Sequence, residues 1–199
     1  SIQVEADELK QELTQQQTLL KKLRQQILQE AIEGKLTADW RAENPDVEPA
    51  GELLARIQAE KAQIIKDKKI KKQKPLPPIS EEEKPFDLPV GWVWCRIDDI
   101  SNVGTGATPL TSEPTYYGGN INWMTSGDTS FDFVTKTKTT ITEKALSETN
   151  CKVYPVGTLI VAMYGQGKTR GQVTELKIDA ATNQACVAIS LYIPSFGTN

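Results

Sequence analysis

The chain is 199 residues long, 38% hydrophobic, and carries a formal net charge of −3 with no histidine at all. That is enough for one domain with an appendage or for two small domains, and no apolar run approaches the roughly 20 residues of a membrane-spanning helix. Chemistry that needs a His base is excluded, and Cys95, Cys151 and Cys186, with no CxxC pair among them, leave a zinc site without its usual ligands.

Residues 1–74 read as a helical region. Leu9, Leu13, Leu20, Leu23 and Ile27 recur at heptad-like spacing, with Gln16 completing the a/d pattern. No Gly or Pro precedes Gly34, which reads as a helix stop. A helix of about 30 residues is ~45 Å long and has a narrow apolar seam but no core of its own. It either lies on its own domain or pairs with another helix, and self-association of the fragment is one way to cover the seam. Thr37–Glu48 reads as a loop punctuated by Pro45 and Pro49. A second helix is expected from about Gly51–Glu52, with Leu53, Leu54, Ile57, Ile64 and Ile65 on one side. It runs into Lys66, Lys68, Lys69, Lys71, Lys72 and Lys74. Those cations suit a helix C-terminus or DNA phosphates.

Residues 75–87 form a Pro-rich linker, with Pro75, Pro77 and Pro78 favouring an extended chain. From Glu81 onward thirteen acidic residues stand against nine basic ones. A surface for a polyanion must therefore be a local cluster of cations.

Residues 88–199 read as a mainly β domain. Strands are expected at Trp92–Ile97, Ile121–Met124, Phe131–Thr135, Thr139–Ile141, Thr158–Met163, Gly171–Leu176 and Cys186–Ile193. Thr142–Asn150 is read as a short turn or helix. The whole is an α+β chain: a long helical, coiled-coil-type arm plus a β domain expected to form a curved or barrel-like sheet. The absence of a closing element after Ser195 suggests that this domain is cut short. The polar, acidic N-terminus does not read as a signal peptide, and three unpaired thiols fit a reducing cytoplasm.

Leu159–Val173, LIVAMYGQGKTRGQV, carries the sharpest ambiguity. Gly167-Lys168-Thr169 imitates the end of a nucleotide-binding loop. Ala162 stands where its first Gly belongs, however, and Gly171 is ill-suited to the first turn of the helix such a loop requires. The other reading is a hairpin on which Lys168 and Arg170 pair DNA phosphates while glycine amides approach closely. A tight hairpin with merely solvated charges is the third. Glu175 and Lys177 imitate half of a nuclease motif but read as a surface pair, and Asn183-Gln184-Ala185-Cys186 lacks the tetrad of an amino-methyltransferase. Trp92, Trp94 and Trp123 read as core rather than as base-stacking platforms.

Several stretches together resemble one family. Leu88-Pro89-Val90-Gly91-Trp92-Val93-Trp94 looks like the opening of a target-recognition domain. Gly104–Pro109, Tyr117-Gly118-Gly119-Asn120-Ile121 with Trp123, and Gly127-Asp128 continue the likeness. So do Met163-Tyr164-Gly165 with Gly171, and Thr182-Asn183-Gln184-Ala185. Upstream, Ile27–Ile32 with Gly34-Lys35-Leu36, Glu52-Leu53-Leu54 and Ile57–Lys61 resemble a conserved helical region. The family is the DNA specificity subunits of type I restriction–modification systems. Val90 and Gly51 depart from its usual acidic residue and Ser.

The resemblance implies a non-catalytic, cytoplasmic subunit that binds double-stranded DNA and reads one half of a bipartite target. Its helical region would act as a spacer and dock modification and restriction subunits. S-adenosylmethionine, ATP and magnesium would sit on those partners, with no cofactor on this chain. The candidate DNA-binding residues are Thr105, Thr108, Thr111, Tyr116, Tyr117, Asn120, Ser126, Thr129, Gln166, Lys168, Thr169 and Arg170, chosen as loop donors, acceptors and cations suited to grooves and phosphates. The alternative is a coiled-coil interaction module whose β domain binds another protein. A basic cluster around Lys168 and Arg170 would favour DNA.

Overall fold

The structure, a computed structural model, describes residues 2–67, 70, 74–165, 167 and 169–192. Lys68, Lys69, Lys71 and Lys72 of the lysine run, and Gln166 and Lys168 of the glycine loop, lie outside the described residues. The chain is α+β, as its pattern predicts. It divides into two compact units, Ser1–Ala55 with Lys74–Trp94 and Arg56–Gln73 with Cys95–Asn199.

In the first unit, α1 spans Ile2–Ile32. Its 31 residues make a rod of about 46 Å at 1.5 Å per residue. Hydrogen bonds one turn apart, such as Gln26 Nε2 to Glu30 and Gln29 Nε2 to Glu33, support its polar faces. Leu9, Leu13, Leu20, Leu23 and Ile27 are 47–65% exposed, so the seam has no cover within this chain's described residues.

Gly34 ends the helix in the left-handed region at φ 71°. A second constraint also holds this glycine: a Cβ there would sit 2.7 Å from Pro89 Cγ. Arg41 locks the stop by donating from Nη2 to the Gly34 carbonyl at 2.7 Å and from Nη1 to Thr37 Oγ1 at 2.6 Å. Its guanidinium lies 5.8 Å from the centre of the Trp92 ring.

Two expectations fail in this unit, for related reasons. Thr37–Glu48 is not all loop, because a 3-10 turn (Lys35–Thr37) leads into a short helix α2 (Ala38–Glu43) that carries Arg41 back to Gly34. Trp92–Ile97 is not a strand. Its alternation comes from packing around helix ends: Trp92 lies under Arg41, and Trp94 stands 5.0 Å from the Phe86 ring. The Trp92 N–H turns back to the Pro89 carbonyl, and the Gly91 carbonyl accepts from Ala50 N at 2.8 Å. That last bond satisfies an orphan donor at the start of α3 (Ala50–Lys66), which begins one residue before the expected Gly51.

In the second unit, the latter part of α3 buries Ile57, and Lys61 donates to the Asp98 carboxylate at 2.7 Å. Asp98 lies on α4 (Ile97–Ile100). The strands follow: β1 (Ser101–Thr105), β2 (Tyr117–Met124), β3 (Phe133–Val134) and β4 (Thr139–Ile141). Helix α5 (Glu143–Glu148) precedes β5 (Val153–Tyr154), β6 (Leu159–Ala162), β7 (Val173–Leu176), β8 (Ala180–Thr182) and β9 (Cys186–Leu191).

They form two sheets rather than one barrel-like sheet, with orders β1-β9-β6-β7-β3 and β4-β2-β8-β5. Met124, Tyr154 and Ala180 of the second sheet join Ile160, Leu176 and Ala188 of the first in one buried cluster. Trp123, Ile141 and Ala181 pack on the other face, with Ala145 of α5 and Cys151. The central β8 is buried throughout, and its small side chains fit between these layers.

The short helix read over Thr142–Asn150 is α5. Thr142 caps it: its hydroxyl accepts from Ala145 N at 3.2 Å and donates to the Thr115 carbonyl at 2.9 Å. Thr142→Ala is expected to lower stability by about 1 kcal/mol. A urea titration would show it as a lower midpoint at unchanged slope.

Candidate nucleic-acid interface

The LIVAMYGQGKTRGQV stretch is a hairpin. β6 and β7 are antiparallel, with Val161 opposite Val173. Ala162 N bonds the Gln172 carbonyl at 2.9 Å, and Gly171 N bonds the Ala162 carbonyl at 2.8 Å. Gly171, at φ 83°, turns the chain into the returning strand. A strand therefore stands where a nucleotide loop needs a helix to aim its amides at phosphates.

Register places the ends of several strands together. Thr105 at the exit of β1 faces Val187, and Ala162 at the exit of β6 faces Cys186, where β9 begins. Met163 N bonds the Ala185 carbonyl at 2.8 Å, tying the hairpin loop to the Asn183–Ala185 turn. Asn183 N in turn bonds the Met124 carbonyl at the exit of β2. The next 3-10 turn, Ser126–Ser130, is held to the hairpin by Thr129 and Gln172. Four loops from distant parts of the sequence thus share one end of the unit.

This end collects Thr105, Thr108, Ser126, Thr129, Thr169 and Arg170 of the expected residues. Arg170, Thr105 and Thr108 are exposed. Thr129 is only 2% exposed, and its hydroxyl donates to the Ser126 carbonyl at 2.7 Å, so it shapes the turn rather than offering a free donor.

The remaining expected residues lie elsewhere. Tyr117 and Asn120 sit at and near the entrance of β2, with Tyr116 just before it, and Thr111 is exposed in a turn. Tyr117 donates inward to the Pro109 carbonyl at 2.7 Å. Tyr116 donates to the Glu148 carboxylate at 2.9 Å, and that bond holds its hydroxyl above the usual tyrosine range. A carboxylate at this position repels phosphates, so Tyr116 is poorly placed for a DNA backbone.

Three residues at this end were not among the expected ones. Tyr164 is exposed beside the hairpin. Lys152 and Gln184 line one concavity with Thr105 and Thr108. Tyr164 was visible as an aromatic in a glycine loop. Gln184 stood out only as part of the Thr182–Ala185 motif and Lys152 not at all, because β5–β8 and β1–β9 pairing brings them there.

Trp123 is core, as expected, and donates to the Ala107 carbonyl at 3.1 Å. Trp92 remains 42% exposed. Lys177 donates to Glu175 at 2.6 Å, the expected surface pair. Burial pushes the Cys95 and Cys186 thiols up, away from the reactive thiolate form. Among the described residues no group of three or more His, Cys, Asp or Glu side chains converges as a metal site, and no helix is long and apolar enough to cross a membrane.

Residues 89–194, just over half of the chain, match the family model described as the type I restriction modification DNA specificity domain. The chain belongs to this family. This chain is 54% identical over 91 residues to the type I restriction enzyme EcoEI specificity subunit of Escherichia coli. It is 52% identical over 104 residues to the EcoAI specificity subunit of the same organism. These alignments cover 45% and 52% of this chain but 15% of each relative, so the chain spans a small part of their length. The HsdS subunit of Thermoanaerobacter tengcongensis is similar at 17% identity and a TM-score of 0.42, over 81% of this chain and 34% of that one.

Proposed function

We propose that this chain is the part of a type I specificity subunit that reads one half of a bipartite double-stranded DNA target. The observation that carries the reading is the convergence of four loops at one end of the β unit, with Arg170 exposed among polar side chains. Phosphate pairing by Arg and nearby amides positions the domain, and neighbouring donors and acceptors read base edges. The family assignment and this surface favour DNA over a protein ligand for the β domain.

In this reading, residues 1–74 are the helical spacer, residues 75–87 the linker, and residues 88–199 a recognition domain. The uncovered leucines of α1 pack on a partner helix and set the distance between half-sites. Modification subunits bring S-adenosylmethionine, and restriction subunits bring ATP and magnesium. This chain contributes recognition without catalysis, in the cytoplasm.

The test is titration of labelled duplexes against the subunit assembled with its modification subunits. Target and scrambled duplexes should differ in affinity, and equal affinity for both overturns the reading. Arg170→Ala should weaken binding roughly 10- to 100-fold, the cost of one charge-assisted hydrogen bond. An equal loss on both duplexes marks a phosphate contact, whereas a loss confined to the target marks a base contact.

A further inference from the structure

The concavity between the Thr105–Thr108 loop, Lys152 and Gln184 has a one-sided hydrogen-bonding character. Three of the loop's carbonyls are spent inward. Thr105 O accepts from Tyr154 Oη at 3.0 Å. Ala107 O accepts from Trp123 Nε1 at 3.1 Å and from Cys151 Sγ at 3.2 Å. Pro109 O accepts from Tyr117 Oη at 2.7 Å. Four side chains thus occupy three carbonyls of one short loop.

What remains on the open side is rich in donors. Thr108 donates its hydroxyl proton to Gln184 Oε1 at 2.6 Å, which fixes the side-chain amide and leaves its Nε2 hydrogens unspent among the described residues. The Thr108 amide has no backbone partner among the described residues, while Ala107 N is held by the Thr182 carbonyl at 2.9 Å. The Asn150 amide lines the rim. Lys152 is exposed and forms no ion pair among the described residues. No carboxylate belongs to the described lining. In a stretch that, from Glu81 onward, has more acidic than basic residues, a concave donor set with one ammonium and no carboxylate selects an anion.

We propose that this concavity holds one phosphodiester of the DNA backbone, with the Lys152 ammonium supplying the charge and the Gln184 amide and the Thr108 N–H the directed donors. This site rests on the DNA-reading function proposed above. It lies at the same end of the sheets as Arg170, so it anchors the duplex beside the hairpin without itself reading sequence.

The experiment uses the full specificity subunit assembled with its modification subunits, as the parent and as Lys152→Ala, Lys152→Arg and Gln184→Ala. Affinity for target and scrambled duplexes is measured from low to moderate salt. Lys152→Ala should lower affinity about tenfold on both duplexes and make the slope of log affinity against log salt shallower by about one. Lys152→Arg should restore the slope, and Gln184→Ala should weaken both duplexes with the slope kept. An unchanged slope in Lys152→Ala overturns the site while leaving sequence-selective binding by the parent intact. A loss confined to the target duplex also overturns it, because the contact would then be to a base. If the parent does not distinguish the duplexes, the recognition reading fails and this site falls with it. Inorganic phosphate added at constant ionic strength should not displace DNA. Displacement that Lys152→Ala abolishes would assign the concavity to free phosphate instead.

Discussion

Gly106→Ala is expected to destabilise the β unit by about 3 kcal/mol or more and to abolish DNA binding together with it. A Cβ on Gly106 would fall on the Thr182 carbonyl oxygen, with Thr182 Cγ2 only 2.9 Å away. The nearest atoms are the Thr182 carbonyl oxygen and carbon, backbone rather than the far end of a flexible side chain. Relief must come from moving the loop off β8, which breaks the bond between Ala107 N and Thr182 O and the one between Thr108 and Gln184. Overpacking costs typically 1–3 kcal/mol, and each stranded buried polar group adds about 1–3. Thr182 is completely buried, so its displaced carbonyl finds no water. Gly51→Ala is the control: no atom lies within 4 Å of its Cβ position, and a helical site gains up to about 1 kcal/mol from the change. Urea midpoints of the two variants should shift in opposite directions. A parent-like midpoint for Gly106→Ala would mean that the loop does not press on β8.

Leu176→Ala is expected to cost about 2–5 kcal/mol, the range for removing a buried leucine side chain. Leu176 is fully buried, belongs to the cluster between the two sheets, and faces Val134 across the β3–β7 pair. Its backbone is pinned as well, by Leu176 N to the Thr158 carbonyl at 2.9 Å and Gly157 N to the Leu176 carbonyl at 2.8 Å. The strand therefore cannot slide to fill the void. Against a domain stability of about 5–15 kcal/mol, this is a large share of the total. Calorimetry or urea unfolding measures it. A cost below about 1 kcal/mol would mean that the two sheets close over the gap.

Elements whose cause is local were legible in the sequence. The stop at Gly34, the short helix within Thr142–Asn150 and the hairpin across Gly171 follow from residue types at their own positions. Elements whose cause lies elsewhere were not. Trp92 and Trp94 alternate because one meets Arg41 and the other Phe86, and a period of two imitates a strand. β1 reads as Ser-Asn-Val-Gly-Thr and has little strand propensity, yet five residues pair in order with β9. β8 is mostly alanine because it is enclosed on both faces. The candidate interface divides the same way. Arg170 was legible from its glycine loop, whereas Lys152 became visible only when long-range pairing placed it beside Thr105 and Gln184. Thr129 has the composition of a reading residue but faces inward.

The pairing of β1 with β9 also sets when this loop cluster exists. These strands lie more than 80 residues apart in the chain, and the β2–β8 and β3–β7 pairs are parallel and distant too. Closing a flexible loop of that length costs about 4 kcal/mol of chain entropy before its contacts form. Contacts this non-local place folding on the slow side, in roughly milliseconds to seconds. During synthesis β1 leaves the ribosome long before β9 and waits without its partner. The four loops share a common end only once β9 has docked, so this surface forms late relative to β1.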